Sequence, residues 1–242
     1  MSLLPHPSAR AALEHFREDV ERVFPELVSL IAYGSAIGEH FHEEHSNVNL
    51  LLVLPRVDDH VLMRGAEILK QHREKSRIVP LILSEKELRD SLDMFAVEFS
   101  DIRERHAVLK GVDIFGGLTI PTTWLRHQCE FELRGKLIRL RQGFLECAGA
   151  EKHLPELLVQ VLSGVLPLGR SLLRLKGERP PHSRAEQIQA LARSYGFEAQ
   201  AWLEVLELKE RRRHQPARPA AQLFRDFLAG LEGLVARVDD AG

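Results

Sequence analysis

The chain has 242 residues, 44% hydrophobic and 28% charged, with a net charge of −2 and two cysteines, Cys129 and Cys147. That length allows one large domain or two small ones with ample chain for a core, and the near-neutral balance argues against the basic stripe of a nucleic-acid binder. Two cysteines fit neither a disulfide framework nor a zinc pattern. No basic and apolar leader opens the sequence and no apolar run approaches a bilayer span, so a soluble cytoplasmic protein without membrane contact is expected.

In chain order, Ser8 is placed to cap a helix carrying Leu13, Phe16, Val20 and Val23 at helical spacing. Residues 27–33 and 48–54 are continuous apolar runs bounded by polar loops, as buried strands should be. Between them stands Tyr33-Gly34-Ser35. Gly34 permits a backbone conformation and a close approach that other residues resist. Ser35 is read as opening a short helix whose free N–H groups can receive a phosphate. The loop that follows holds His40, His42 and His45 among glutamates, a composition able to bind a transition metal. Its spacing matches no closed site, which favours solvated loop histidines. Residues 57–74 read as a helix and 77–83 as a third strand, and Ser84-Glu-Lys-Glu87 carries a capping-box signature. Residues 95–102 are then expected as a strand, with Ala96, Glu98 and Ser100 on one face and Asp101 on the other.

The second strand opens on Ser46-Asn47-Val48-Asn49, and two-residue spacing sends Asn47 and Asn49 to one face. With Gly34-Ser35 before them and Glu98 after, these residues resemble the frame of the DNA polymerase beta-like nucleotidyltransferase superfamily over roughly residues 27–116. The resemblance implies a carboxylate pair spaced Asp-x-Asp where this chain has Asn47 and Asn49. It implies a third carboxylate on a later strand, for which Glu98 is the candidate and Asp101 the rival. Carboxylates there hold two Mg2+ ions against the nucleotide phosphates. An asparagine offers a neutral carbonyl oxygen in their place. A dication about 4 Å from a carboxylate gains roughly 8 kcal/mol at an effective dielectric of about 20. Two such losses in one site are hard to offset, so no metal site and no certain cofactor is expected, Mg2+ entering only in an active form.

From about residue 121 the β pattern stops. Leu133, Leu137, Leu140 and Phe144 mark one helix, and 154–176 is the most apolar segment. Pro180-Pro181 is the clearest break, Ser183-Arg-Ala-Glu186 caps a helix that Gly196 ends, and two more helices follow, marked by Trp202 and by Leu223 to Val238. The expected organisation is a mixed α/β sheet domain over residues 1–118 and an all-α bundle of about five helices over 119–242. Their net charges, −6 and +4, differ in sign. This arrangement is similar to that of kanamycin nucleotidyltransferase and related bacterial enzymes. There the helical domain, the resemblance implies, helps bind the acceptor or a second subunit. The apolar content of 154–175 points to burial against the sheet domain and to a homodimer contact. Arg134, Lys136, Arg139 and Arg141 are free to meet the acidic domain, and Arg211 to His214 to close a helix.

Three functional readings follow. The favoured one is a nucleotidyltransferase-fold protein that binds a nucleotide, another phosphate ligand or a partner through Gly34, Ser35, Asn47 and Asn49, with catalysis degenerate. The alternative is an active Mg2+-dependent enzyme that transfers a nucleotide to a hydroxyl using Glu98, with further acids from Glu43, Glu44 or Asp101. The third is a structural or regulatory subunit with an empty cleft.

Overall fold

A computed structural model describes residues 7–34, 37, 47–72, 77–212 and 215–239. The chain divides into two compact units, residues 1–120 and 121–242. Ser35 and His40, His42 and His45 lie outside the described residues, as do Glu43 and Glu44.

The first unit runs α1 (Pro7–Val23), β1 (Ser29–Tyr33), β2 (Val48–Leu54), α2 (Asp59–His72), β3 (Ile78–Ser84), α3 (Glu85–Asp90), α4 (Ala96–Glu104) and β4 (His106–Gly111). Its sheet has the order β3-β2-β1-β4. β1 pairs antiparallel with both β2 and β4, while β2 and β3 are parallel across the α2 crossover. Alternation along β1 and β2 sorts the side chains onto two faces. Leu30, Ala32, Val48, Leu50 and Leu52 pack with Leu13, Phe16 and Val20 of α1 and Val61 and Ile68 of α2. Ile31, Leu51 and Val53 pack on the other face with Leu88 of α3, Phe99 and Ile102 of α4, and Phe115. A sheet buried on both faces explains the unbroken apolar runs of β1 and β2.

Helix starts follow the sequence signals in part. Ser84 accepts from the Glu87 N–H while the Glu87 carboxylate accepts from the Ser84 N–H, the two halves of a capping box. α1 already includes Pro7, so Ser8 falls inside the helix rather than at its cap. Residues 95–102 differ more. They form a turn and the helix α4, with Ala96, Val97, Phe99 and Ile102 buried, and the strand begins only at His106. Val97 and Phe99, two apart, mimic strand alternation, but burial of Ile102 three residues on is the helical period.

The second unit has five helices among the described residues: α5 (Thr122–Glu146), α6 (Leu154–Leu175), α7 (Arg184–Tyr195), α8 (Gln200–Lys209) and α9 (Ala220–Asp239). α7 is capped by Ser183 and ends at Gly196, whose φ of +62° is the left-handed conformation glycine adopts freely. α6 is long and apolar enough to cross a membrane, contrary to the sequence expectation, with 56% of its most apolar window buried. Leu158, Val165 and Leu172 on it are fully buried among α5, α7, α8 and α9, so its apolar content is used inside its own unit. Three of the basic residues of α5 pair within the unit: Arg134 with Glu130 and Asp239, Lys136 with Glu132, and Arg141 with Glu232. α8 stops at Lys209, one residue before Glu210 and two before Arg211, whose φ is +55°. Buried Glu204 on α8 fixes the chain before α9, accepting from the Ala217 N–H at 2.6 Å and Arg218 Nε at 2.9 Å.

Candidate functional site

One end of the sheet gathers the polar residues of the first unit. β1 reaches it at Tyr33 and leaves through Gly34; Tyr33 is paired with Asn49 of β2 on one side and with His106 of β4 on the other. Asn47 lies one residue before β2 and is exposed, and Asn49 is half-buried. By strand alternation both share the face of Leu51 and Val53, the face that α4 covers.

Gly34 and Asn49 are in close contact. Gly34 has φ +73°, and a Cβ added to it would stand 2.8 Å from Asn49 Nδ2. Only glycine lets the backbone turn there with the Asn49 amide against it. The turn is held from its far side by Ile37, which is fully buried, bonds its N–H to the Gly34 carbonyl at 3.2 Å, and accepts from Arg105 Nη2 at 2.8 Å. Gly34→Ala should therefore cost about 1–2 kcal/mol of stability, the usual size of a left-handed non-glycine residue. It should displace the Asn49 amide as well, and urea unfolding measures the loss of stability.

His106 sits where β4 enters this end. Its Nδ1 is 2.9 Å from the Ile102 carbonyl and its Nε2 is 3.0 Å from Asp113 Oδ1. Asp113 Oδ1 also accepts from the Phe115 and Gly116 N–H groups, and the imidazole lies 5.5 Å from the Phe115 ring. Both ring nitrogens face acceptors, so the imidazole is held from both sides. Burial pushes the Tyr33 phenol above its ordinary range. Tyr33, Arg105, His106 and Asp113 were not singled out by the sequence. Tyr33 closes the first apolar run, and the short run Ala107-Val108-Leu109 before Gly111 is the signal for a strand starting at His106.

Glu98 is corrected in its element. It lies in the first turn of α4, exposed, not on a strand. Asp101 follows three residues later on the same helix, so the two acids share a helical side rather than opposite strand faces. β4, the strand beside β1, carries no carboxylate between His106 and Gly111. The groups at the sheet end are thus the amides of Asn47 and Asn49 and the His106 imidazole, with one carboxylate, Asp113, engaged by that imidazole and by the Phe115 and Gly116 N–H groups. Among the described residues no group of three or more His, Cys, Asp or Glu is placed to hold a metal ion. A hard dication such as Mg2+ takes carboxylate oxygens, and these residues do not fit a carboxylate-held pair of such ions.

No family model matches the sequence, and no curated protein is similar to it. Solved structures do match. Spectinomycin adenyltransferase AAD(9) from Enterococcus faecialis, determined with ATP and spectinomycin, has a TM-score of 0.57 at 12% identity, covering 92% of this chain and 99% of its own. A nucleotidyltransferase-like protein from Exiguobacterium sibiricum 255-15 has a TM-score of 0.45 at 16% identity, covering 95% of this chain and 77% of its own. At 12% identity the likeness to the spectinomycin adenyltransferase is one of architecture alone. The chain has a nucleotidyltransferase-like fold.

Proposed function

We propose that the first unit binds a nucleotide or a similar phosphate compound at the sheet end formed by Gly34, Asn47 and Asn49, and that it does so without transferring a nucleotide. The observation carrying this reading is the Asn49 amide seated against Gly34 at the head of β2, with no acid on the neighbouring β4. An asparagine amide presents two N–H donors, whereas an ionised carboxylate only accepts. Amides therefore suit direct contact with phosphate oxygens, and carboxylates suit a cation held between themselves and the phosphate. Replacing one by the other keeps a phosphate site while removing the reason for the metal. Ser35, which lies outside the described residues, is a further phosphate contact in this reading on the strength of the sequence resemblance. The likeness to a fold solved with ATP supports the choice of a nucleotide over other phosphates.

The test is calorimetric titration of nucleoside triphosphates with Mg2+ and, separately, with a chelator, alongside a labelled-triphosphate turnover assay. Binding of similar strength under both conditions, weakened about tenfold or more in Asn49→Ala, with no turnover, is the expected result; the tenfold corresponds to about 1.4 kcal/mol, the range of one hydrogen bond to a charged group. A second reading has one observation behind it: Glu98 and Asp101 lie on α4, the helix packed on the face to which Asn47 and Asn49 project. Mg2+-dependent turnover that is lost in Glu98→Gln would establish that reading and remove the first. Absence of binding under every condition would leave the chain a structural or regulatory subunit.

A further inference from the structure

α5 has two apolar faces. Leu125, Cys129, Leu133, Leu137 and Leu140 form the buried one, which packs on α6 and α9. On the opposite side Trp124, Phe131, Ile138 and Leu145 recur every seven residues and are exposed by 37%, 77%, 53% and 75%. A seven-residue repeat stays on one side of a helix for several turns and is the spacing of a helix–helix seam. Single exposed leucines need no explanation, but four in register along one helix do.

We propose that this stripe is the dimer interface of the protein, and that α5 packs antiparallel against α5 of a second copy about a two-fold axis near Gly135. Three features favour a second copy over another occupant. The first is symmetry. Gln128, Gly135 and Gln142 run beside the stripe, also seven apart, so a two-fold at Gly135 sets Gln128 opposite Gln142 of the other copy and Trp124 near its Leu145. The second is Gly135 itself. Glycine is disfavoured inside a helix. Gly143 on the same helix is explained by Leu157, which a Cβ there would meet at 2.5 Å. A Cβ at Gly135 would meet nothing within 4 Å, so no contact in this chain requires it, while a close helix crossing does. The third is charge. Arg134 and Arg141 flank the stripe on its other side, and their charges are already met by Glu130, Asp239 and Glu232. A second copy thus faces neither of these two arginines uncompensated.

The area is of the right order. The exposed fractions of the four side chains amount to roughly 450 Å² per chain, or about 900 Å² for the pair before flanking residues are counted, close to the ~1,000 Å² that a specific interface clears.

The full-length protein should sediment as a dimer at about 10 μM. Phe131→Asp with Ile138→Asp should raise the dissociation constant at least a hundredfold with an unchanged helical circular-dichroism spectrum, since both side chains are exposed. Gly135→Ala should weaken association about tenfold, yet in the Phe131→Asp, Ile138→Asp background it should leave the thermal midpoint unchanged or higher, because the added methyl meets nothing in the single chain. For direction, Trp124→Cys and Leu145→Cys chains, each also carrying Cys147→Ser, should cross-link to one another on mixing, rather than each to itself. A monomer at ~100 μM overturns the proposal, whether the stripe is then open or shielded from solvent labelling by its own chain. So does a dimer that survives the double aspartate variant, and self-linking of the Trp124→Cys chain overturns the antiparallel arrangement.

Discussion

Gly111→Ala is expected to destabilise the sheet unit by about 4 kcal/mol or more, the largest effect of a methyl added at any of the described glycines. Gly111 ends β4 with φ +80°, and a Cβ there would lie 2.0 Å from the Val28 carbonyl oxygen and 2.9 Å from its carbon. Neither atom can give way. The Val28 N–H bonds to the Val53 carbonyl at 2.9 Å, its carbonyl accepts the Val112 N–H at 3.1 Å, and buried Ser29 beside it donates its hydroxyl to the Val112 carbonyl at 2.7 Å. The left-handed conformation alone costs about 1–2 kcal/mol. Relieving the clash means drawing β4 away from β1 and opening the core around Ile31 and Val108. Together these should reach about 4 kcal/mol or more, against a total stability of about 5–15 kcal/mol. Urea unfolding measures it, with Gly117→Ala as the control, since a Cβ there meets nothing within 4 Å. A midpoint for Gly111→Ala as close to wild type as the control's would refute the steric argument. Gly111 pairs with Ser29 and the candidate site lies at Tyr33, so this variant probes the far end of the sheet from Gly34→Ala.

Asn47→Asp with Asn49→Asp should create a Mg2+ response that the wild type lacks. Both changes keep the side-chain shape, so β2 should retain its register with Tyr33. Two carboxylates projecting to one face repel, and the Asn49 amide loses its N–H donors beside Gly34. Stability without metal should fall by about 1–2 kcal/mol. A cation bound by the folded state alone restores stability by mass action, about 2.7 kcal/mol at a hundred times its dissociation constant. For a chain of this size that is a rise of roughly 5–10 °C in the thermal midpoint. Differential scanning with and without Mg2+ reads both terms. Nucleotide transfer should still be absent, because it needs an acceptor hydroxyl in line with the phosphate, and metal alone does not position one. An equal Mg2+ shift in wild type and variant would mean that carboxylates elsewhere already hold the ion, and the proposal of a metal-independent phosphate site would fail.

Much of this architecture is legible from sequence because its signals are local. β1 and β2 are apolar runs of strand length, and the capping box at Ser84 and Glu87 and the cap at Ser183 depend on a side chain meeting a backbone N–H three residues on. Gly196 ends α7 for an equally local reason, its left-handed backbone. The five helices described in the second unit follow from apolar periodicity together with such caps and breaks. The placement of Asn47 and Asn49 at the head of β2 is local in the same sense, since strand alternation fixes their common face.

Tertiary structure decided the rest, wherever a short segment satisfies two periods or a residue draws its role from a distant partner. Residues 95–102 suit strand or helix, and it is packing of Phe99 and Ile102 against Ile31 and Leu51 that makes them α4 and moves Glu98 off the sheet. β4 is a strand because β1 offers it an edge, and that pairing sets His106 beside Tyr33 at the candidate site. Arg105 serves the site through the carbonyl of Ile37, 68 residues away, a link no local pattern reveals. The same holds for α5, whose sequence is apolar on two sides: only the packing of α6 and α9 on one of them leaves Trp124, Phe131, Ile138 and Leu145 facing outward. Local sequence fixes what a segment prefers, and burial, which is a property of the whole chain, selects among preferences that differ by little free energy.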